Sequence, residues 1–105
     1  MNNGRHQPVL VKETIAALKI RHGGKYIDAT LGGGGHTRKI LEAGGLVLGI
    51  DRDPEALTRI KNELSNYIKE GKLTIQKGNF ENLDTISKEN GFGKVNGILF
   101  DLGMS

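Results

Sequence analysis

The hydrophobic pattern of this chain alternates between short strand-like runs and helical spacing. The clearest strand is a continuous apolar run over residues 46–50, which is typical of a parallel strand buried on both faces. The clearest helix has Asp53 as its N-cap and Pro54 as its first residue, and its apolar face extends to Ile68. The other predicted elements are helices over residues 11–19, 35–43 and 83–89 and strands over residues 25–29, 73–76 and 95–100.

Strands that alternate with helices at this spacing form β-α units, in which successive strands lie parallel and are joined by right-handed crossovers. The pattern therefore predicts an α/β fold with a doubly wound parallel sheet. Ligands bind to such sheets outside the carboxyl ends of the strands, so functional residues should follow the predicted strands. The positions of interest there are residues 32–36, Asp51, residues 79–80 and Asp101.

Four consecutive glycines, residues 32–35, connect the first predicted strand to the helix after it. Glycine lacks Cβ and tolerates positive φ, so backbone N–H groups and the start of the helix can approach a ligand closely. We interpret the run as a cofactor loop; a merely flexible turn is the alternative. The dinucleotide fingerprint G-x-G-x-x-G fails, because Thr37 or Arg38 stands where its third glycine is required, and the phosphate loop G-x-x-x-x-G-K-[ST] is absent.

Side chains at the strand ends offer contacts for a bound adenosine. Asp51 follows the second strand, where its carboxylate can accept hydrogen bonds from both ribose hydroxyls, and Asp53 already supplies the helix cap. Phe80 could stack on an adenine from its loop, although a lone phenylalanine there also suits a core. Asp101 could face the reacting end of a cofactor or cap a turn. His36 could contact the cofactor's amino-acid end or carry a proton.

Composition limits the number of domains, the cellular compartment and the partners that we expect for this protein. The chain has 105 residues, 36% hydrophobic and 26% charged, which suits one globular domain. It has no cysteine, no apolar run near the roughly 18 residues of a membrane span and no leader pattern, so a cytoplasmic protein without a membrane partner is expected. The net charge of +3 comes from scattered cations and permits an RNA partner without arguing for one. His6, His22 and His36 lack metal-ligand spacing, so no metal is expected.

Five segments in order resemble the RsmH family, also called MraW, the S-adenosylmethionine-dependent cytosine-N4 methyltransferases of small-subunit ribosomal RNA in bacteria. The resemblance covers nearly the whole chain and is far more specific than the glycine loop alone. The matching segments are residues 6–10 with Glu13, 26–30, 34–36, 49–54 and 97–105.

The resemblance implies a Rossmann-like sheet of the class I methyltransferase type, with residues 1–105 as the N-terminal part of an S-adenosylmethionine-binding domain. Asp51 would hold the ribose of the cofactor, while Phe80 and Asp101 would line the adenine and methionyl parts of its pocket. The full set of cofactor contacts that it implies is Gly34, Gly35, His36, Asp51, Phe80 and Asp101.

The implied reaction transfers the sulfonium methyl to the exocyclic amine of a cytidine in 16S ribosomal RNA. That amine is a poor nucleophile because its lone pair is delocalised, so the site must orient it and stabilise the developing positive charge. The target base would have to leave its stack to reach the pocket. Asp101 is the residue of this chain that is best placed to orient the amine and stabilise that charge. No catalytic base is assigned, because residues 101–103 read Asp-Leu-Gly where many amino-methylating enzymes have [Asp/Asn]-Pro-Pro-[Tyr/Phe].

The family continues well past the fourth strand, with a further cofactor contact, an inserted substrate-recognition domain and the remaining strands. The 105 residues alone are therefore expected to be inactive, and their open sheet edge is expected to self-associate. Two other classes stay open. One is a nicotinamide oxidoreductase, which shares the fold and the ribose acid; the other is a non-catalytic cofactor-binding fragment or RNA-associating module.

Overall fold

The computed structural model describes residues 19–32 and 34–100. The helix predicted over residues 11–19 lies outside this part of the chain except for Lys19, which stands in a turn with φ 51°. The elements, in chain order, are β1 (Lys25–Asp28), α1 (Gly35–Glu42), β2 (Leu46–Asp51), α2 (Pro54–Glu63), α3 (Ser65–Lys69), β3 (Leu73–Lys77), a 3₁₀ turn (Phe80–Asn82), α4 (Leu83–Glu89) and β4 (Gly97–Leu99).

The four strands form one parallel sheet in the order β3-β2-β1-β4. Ile27 at the centre of β1 lies opposite Leu48 of β2 on one side and Ile98 of β4 on the other. The carboxyl ends of all four strands therefore meet at one edge of the sheet. This architecture confirms the predicted α/β doubly wound fold.

Two apolar clusters cover the two faces of the sheet. The helices α1 and α2 bury one face, where Ile40 and Ile60 are fully inaccessible and pack around Val47. The helix α4 covers the other face, where Ile86 packs with Leu48 and Phe92. Because helices lie on both faces, the central strands are apolar on both sides, which is the pattern that identified residues 46–50 as a strand.

The helix predicted to run from Pro54 to Ile68 is in fact two helices, and the prediction of one continuous helix was wrong. The break falls at Leu64, whose φ of −115° and ψ of 28° lie outside the helical region. Leu64 is buried in the first cluster, and its carbonyl accepts from Tyr67 N–H at 3.1 Å as well as from Ile68 N–H at 3.3 Å. The tighter turn redirects α3 while Leu64 keeps its place in the core.

The predicted helix ends agree with the structure in their capping chemistry. Asp53 Oδ1 accepts from Glu55 N–H at 2.9 Å at the start of α2, with Pro54 as the first helical residue. Gly71, with φ 77°, ends α3, and the N–H groups of Gly71 and Lys72 close a Schellman motif on Ile68 and Tyr67. Gly44 and Gly45 close α1 in the same way on Leu41 and Ile40.

The last strand is shorter than predicted: β4 spans Gly97–Leu99 rather than residues 95–100. Among the residues that the structure describes, β4 pairs only with β1, and β1 ends at Asp28 because the chain then turns into the glycine loop. Past that point Ala29 N–H donates to Leu99 O at 2.8 Å, and Phe100 has no strand residue beside it to pair with among the described residues.

Within the part of the chain that the structure describes, no helix has the length and apolar character that crossing a bilayer requires.

Candidate functional site

A buried carboxylate organises the loop that follows β1. Asp28 is 0% exposed, and its Oδ1 accepts from Thr30 N–H at 2.8 Å and from Thr30 Oγ1 at 2.5 Å. Its Oδ2 accepts from Thr37 Oγ1 at 2.6 Å in the first turn of α1. Burial of a carboxylate is costly unless hydrogen bonds satisfy its oxygens, so these three donors explain why Asp28 is tolerated there. Asp28 thereby joins the end of β1 to the start of α1 across the loop.

The glycine turn is held by one backbone hydrogen bond and by apolar contacts on both of its sides. Leu31 O accepts from Gly34 N–H at 2.6 Å, which closes the turn. Leu31 packs so tightly over β2 that a Cβ added at Gly49 would lie 2.8 Å from its Cδ1. Gly34 has φ 81° as the N-cap of α1, and a Cβ there would lie 2.5 Å from Ile60 Cδ1 of α2. The positive φ at position 34 therefore favours glycine, and a Cβ there would also displace the end of the buried Ile60 side chain.

Asp51 meets the glycine loop at the carboxyl end of β2. Its Oδ2 accepts from Gly32 N–H at 3.0 Å, and its Oδ1 accepts from Asp53 N–H at 2.9 Å. A carboxylate offers about four lone-pair positions, so each oxygen keeps capacity for a further donor. On the other side of Gly32, its carbonyl accepts from Arg59 Nη2 of α2 at 2.9 Å.

An open cleft of about 730 Å³ lies along the carboxyl ends of β1, β2 and β3. Its volume falls within the roughly 300–1,000 Å³ of small-molecule and cofactor sites. The small residues Ala29, Gly32 and Gly78 form part of its wall, and Asp51 and Glu81 both contribute carboxylate groups. The lining residues are Ala29, Thr30, Gly32, Ile50, Asp51, Arg52, Gly78, Asn79, Phe80 and Glu81.

Phe80 presents an aromatic ring at the rim of this cleft. It is 58% exposed and begins the 3₁₀ turn after β3 rather than entering the core. Its ring centroid lies 5.2 Å from that of Phe100, the rings are tilted by 42°, and Phe100 is 46% exposed. The pair links the loop after β3 to the end of β4 and leaves aromatic surface available to a planar ligand.

Two of the predicted site residues, Asp51 and Phe80, line the cleft together. The predicted Asp101 lies outside the described residues. Gly34, Gly35 and His36 stand beside the cleft and do not line it, and their contact with a cofactor stays a prediction. His36 Nδ1 lies 3.4 Å from Thr30 Oγ1, so His36 reaches the cleft wall through Thr30.

Three residues of the site were missed from the sequence: Asp28, Arg59 and Phe100. A signal existed for Asp28, because it is a charged residue inside an otherwise strand-like segment. Phe100 directly precedes the predicted site residue Asp101, but its contact with Phe80 joins the ends of β4 and β3, which are the two edge strands of the described sheet and are not neighbours in it. Arg59 has no sequence signal, since its contact arises from how α2 crosses the loop.

Among residues 19–32 and 34–100, no cluster of three or more histidine, cysteine, aspartate or glutamate side chains is placed to hold a metal ion.

The fold and the cleft define a class of protein: a Rossmann-like domain with a ligand cleft at the carboxyl ends of its parallel strands. The C-terminal domain of precorrin-6Y C5,15-methyltransferase from Rhodobacter capsulatus superposes with a TM-score of 0.77 at 17% identity, covering 99% of this chain and 54% of that one. A SAM-dependent methyltransferase from Thiobacillus denitrificans, in complex with S-adenosyl-L-homocysteine, superposes with a TM-score of 0.58 at 20% identity, covering 73% of this chain and 33% of that one. At these identities the likeness shows the shared fold.

The family is shown by sequence. The model of the MraW methylase family matches residues 3–105, and the chain belongs to this family. The ribosomal RNA small subunit methyltransferase H of Thermomicrobium roseum is 48% identical over 103 residues, or 95% of this chain and 31% of the relative. That of Halothermothrix orenii is 47% identical over 103 residues, or 95% of this chain and 32% of the relative. The chain thus spans about a third of the length of these curated relatives.

The resemblance seen in the sequence is therefore confirmed. The family model and the curated relatives named above are methyltransferases, so they favour the methyltransferase interpretation over the nicotinamide oxidoreductase alternative.

Proposed function

We propose that this chain provides the S-adenosylmethionine-binding part of a methyltransferase that acts on the N4 amine of a cytidine in 16S ribosomal RNA. The observation that carries the proposal is the match of the MraW methylase family model to residues 3–105. Relatives at 43–48% identity bear the name ribosomal RNA small subunit methyltransferase H, which supports RNA of the small ribosomal subunit as the substrate. Because ribosomes work in the cytoplasm, we place the protein there.

The cleft suits the adenosine part of this cofactor. The two ribose hydroxyls are donors, and the Asp51 carboxylate keeps acceptor capacity beyond its bonds to Gly32 and Asp53. The exposed ring of Phe80 stands on the same cleft, where it can stack on the adenine. The small residues Ala29 and Gly32 also line the cleft and allow close approach.

The remaining predicted contacts would extend the site toward the reacting end of the cofactor. Gly34, Gly35 and His36 follow the loop, and Asp101 follows β4; the family likeness supports their roles. When bound, the cofactor supplies an electrophilic sulfonium methyl group. The task of this chain is to hold that methyl in line with the cytidine amine, which is too weak a nucleophile to react without positioning.

Methyl transfer to ribosomal RNA tests the proposal directly. Small ribosomal subunits that lack the modification are incubated with labelled cofactor and either the 105-residue chain or a chain extended to the length of the curated relatives. We expect incorporation at one cytidine with the extended chain and none with the 105 residues alone. Cofactor binding without incorporation by either chain would contradict the RNA substrate. Equal incorporation by both would show that the catalytic apparatus is complete within these residues.

A further inference from the structure

Gly32 is held at both of its peptide groups by side chains of opposite charge. Its N–H donates to Asp51 Oδ2 at 3.0 Å, and its carbonyl accepts from Arg59 Nη2 at 2.9 Å. Asp51 stands at the end of β2, whereas Arg59 stands on α2, 27 residues along the chain from Gly32. The two side chains therefore fix one residue of the glycine loop from two different elements.

Arg59 is an exposed arginine that is ordered by a hydrogen bond to the backbone of the glycine loop. Arg59 lies at the surface, where holding a long side chain in one place costs conformational entropy. Arg38 on α1 shows the ordinary use of such a side chain, since it faces the carboxylate of Glu63 at 3.8 Å. Arg59 instead donates to a backbone carbonyl of the loop, and Ile60 beside it packs against Gly34 of the same loop. One turn of α2 thus supports the loop at two points.

We propose that Arg59 is a positioning residue for the cofactor loop. Its bond keeps Gly32 in the left-handed conformation, with φ 38°, in which the Gly32 N–H orients the Asp51 carboxylate at the cleft. Arg59 does not line the cleft, so it acts on a bound cofactor through Gly32 and Asp51. The inference rests on the proposed function in that it takes S-adenosylmethionine as the ligand of this cleft.

The test compares Arg59→Gln with Lys61→Gln, which removes the same charge from the exposed side of the same helix. Calorimetry with S-adenosylmethionine should show that Arg59→Gln raises Kd by about three- to tenfold, in keeping with the loss of one charge-assisted hydrogen bond at a solvated position. Lys61→Gln should leave Kd unchanged, and Arg59→Lys, which retains a donor, should restore part of the affinity. The thermal midpoint of the cofactor-free protein should be alike in the Arg59→Gln and Lys61→Gln variants.

Coupling to Asp51 separates a positioning role from a general structural one. Because Arg59 acts through Asp51, adding Arg59→Gln to Asp51→Ala should weaken binding no further than Asp51→Ala does alone. Additive losses would overturn the proposal.

Amide hydrogen exchange in the cofactor-free protein tests the clamp, by which we mean the bonds from Asp51 and Arg59 to Gly32, independently of the proposed function. Arg59→Gln should speed exchange at the Gly32 amide and leave the Leu48 amide in the sheet unchanged. If the unaltered protein binds the cofactor and Arg59→Gln changes neither Kd nor exchange, the clamp is wrong while the function stands. If the unaltered protein does not bind the cofactor, the proposed function fails, and the exchange at Gly32 still decides whether Arg59 holds the loop.

Discussion

Asp51 already accepts two backbone hydrogen bonds within the protein, one from the glycine loop and one from the start of α2. Its carboxylate is therefore oriented before a ligand binds, so ribose binding loses little conformational entropy through ordering of the Asp51 side chain. Replacing Asp51 by alanine should weaken S-adenosylmethionine binding by about 1.5–3 kcal/mol, the usual loss for hydrogen bonds to a charged group. Isothermal titration calorimetry of the Asp51→Ala variant and the unaltered protein measures this loss of binding free energy.

The control is Asp84→Ala, which removes an equally charged side chain from the surface of α4. Asp84 pairs with Lys88 at 3.1 Å in a solvated position, so its loss should not alter cofactor affinity. Equal affinities for the Asp51→Ala variant and the unaltered protein would remove Asp51 from the ribose site.

The buried carboxylate of Asp28 gives a second prediction at the residue scale. Thr37→Val keeps the shape of the side chain but removes the hydroxyl that donates to Asp28 Oδ2 at 2.6 Å. The free energy of unfolding should fall by about 1.5–3 kcal/mol, because an oxygen of a fully buried carboxylate loses its donor. Denaturation by urea measures the change.

A matched threonine stands on the surface of α2. Thr58 Oγ1 donates to Pro54 O at 2.9 Å in a solvated turn, so Thr58→Val should change the unfolding free energy by no more than about 0.5 kcal/mol. Equal effects of the two substitutions would mean that the Asp28 bonds add nothing to stability.

Among individual residues, the sequence predicted the contacts of side chains that directly follow a strand. It missed the contacts that depend on how a helix packs across a loop. The placement of Asp51 and Phe80 at one cleft could be predicted because parallel strands bring their carboxyl ends to the same edge of the sheet. Arg59 could not, because its contact with Gly32 depends on the angle at which α2 passes over the loop.

At the scale of elements, the junction of the glycine loop with α1 and α2 sets the geometry of the site. Gly34→Ala should destabilise the protein by at least about 1–3 kcal/mol, the cost of a left-handed conformation in a residue with a Cβ. The clash of that Cβ with Ile60 Cδ1 adds to this cost. Thermal unfolding followed by circular dichroism measures it.

The next glycine is a built-in control for this experiment. Gly35 is the exposed first residue of α1, and alanine favours a helix over glycine by up to about 1 kcal/mol. Gly35→Ala should therefore be neutral or stabilising. A similar destabilisation by both substitutions would contradict the assigned role of Gly34.

Elements were predicted well wherever local chemistry decides them. Pro54, Gly71 and the pair Gly44 and Gly45 mark helix ends through backbone effects that act within a few residues. The break at Leu64 was missed, because residues on both sides of it continue the same apolar spacing. The break arises from where the buried Leu64 must lie in the core, and a one-dimensional pattern does not contain that position.

At the scale of the whole molecule, apolar side chains remain exposed along β4. Ile98 is 41% exposed beside the exposed rings of Phe80 and Phe100, and β4 is an edge strand of the described sheet. Such an edge favours pairing with another chain, so the 105-residue chain should associate as its concentration rises. Sedimentation velocity over a range of concentrations measures this.

Ile98→Lys should shift the equilibrium toward monomer, because a charge on an edge strand opposes pairing. Thr58→Lys adds the same charge on the surface of α2 and should leave the association unchanged. A chain that stays monomeric at every concentration, or association that Ile98→Lys does not weaken, would exclude this edge as the contact.

The alternation of strands and helices was sufficient to predict the overall architecture, since short crossovers leave few ways to arrange β-α units. The order β3-β2-β1-β4 places the cleft between the glycine loop and the ends of β2 and β3. The volume of that cleft, and the Phe80–Phe100 pair at its rim, depend on side-chain packing across separate strands. The sequence pattern carries no direct record of such packing.

We propose that S-adenosylmethionine binds in the cleft at the carboxyl ends of β1, β2 and β3. Titration of the protein with S-adenosylhomocysteine, followed through its backbone amide resonances, tests this most directly. We predict saturable shifts that cluster at Thr30, Gly32, Asp51, Asn79 and Phe80. Shifts that cluster instead at the separate groove beside β3, around Ile68 and Ile75, or no saturable shifts at all, would contradict it.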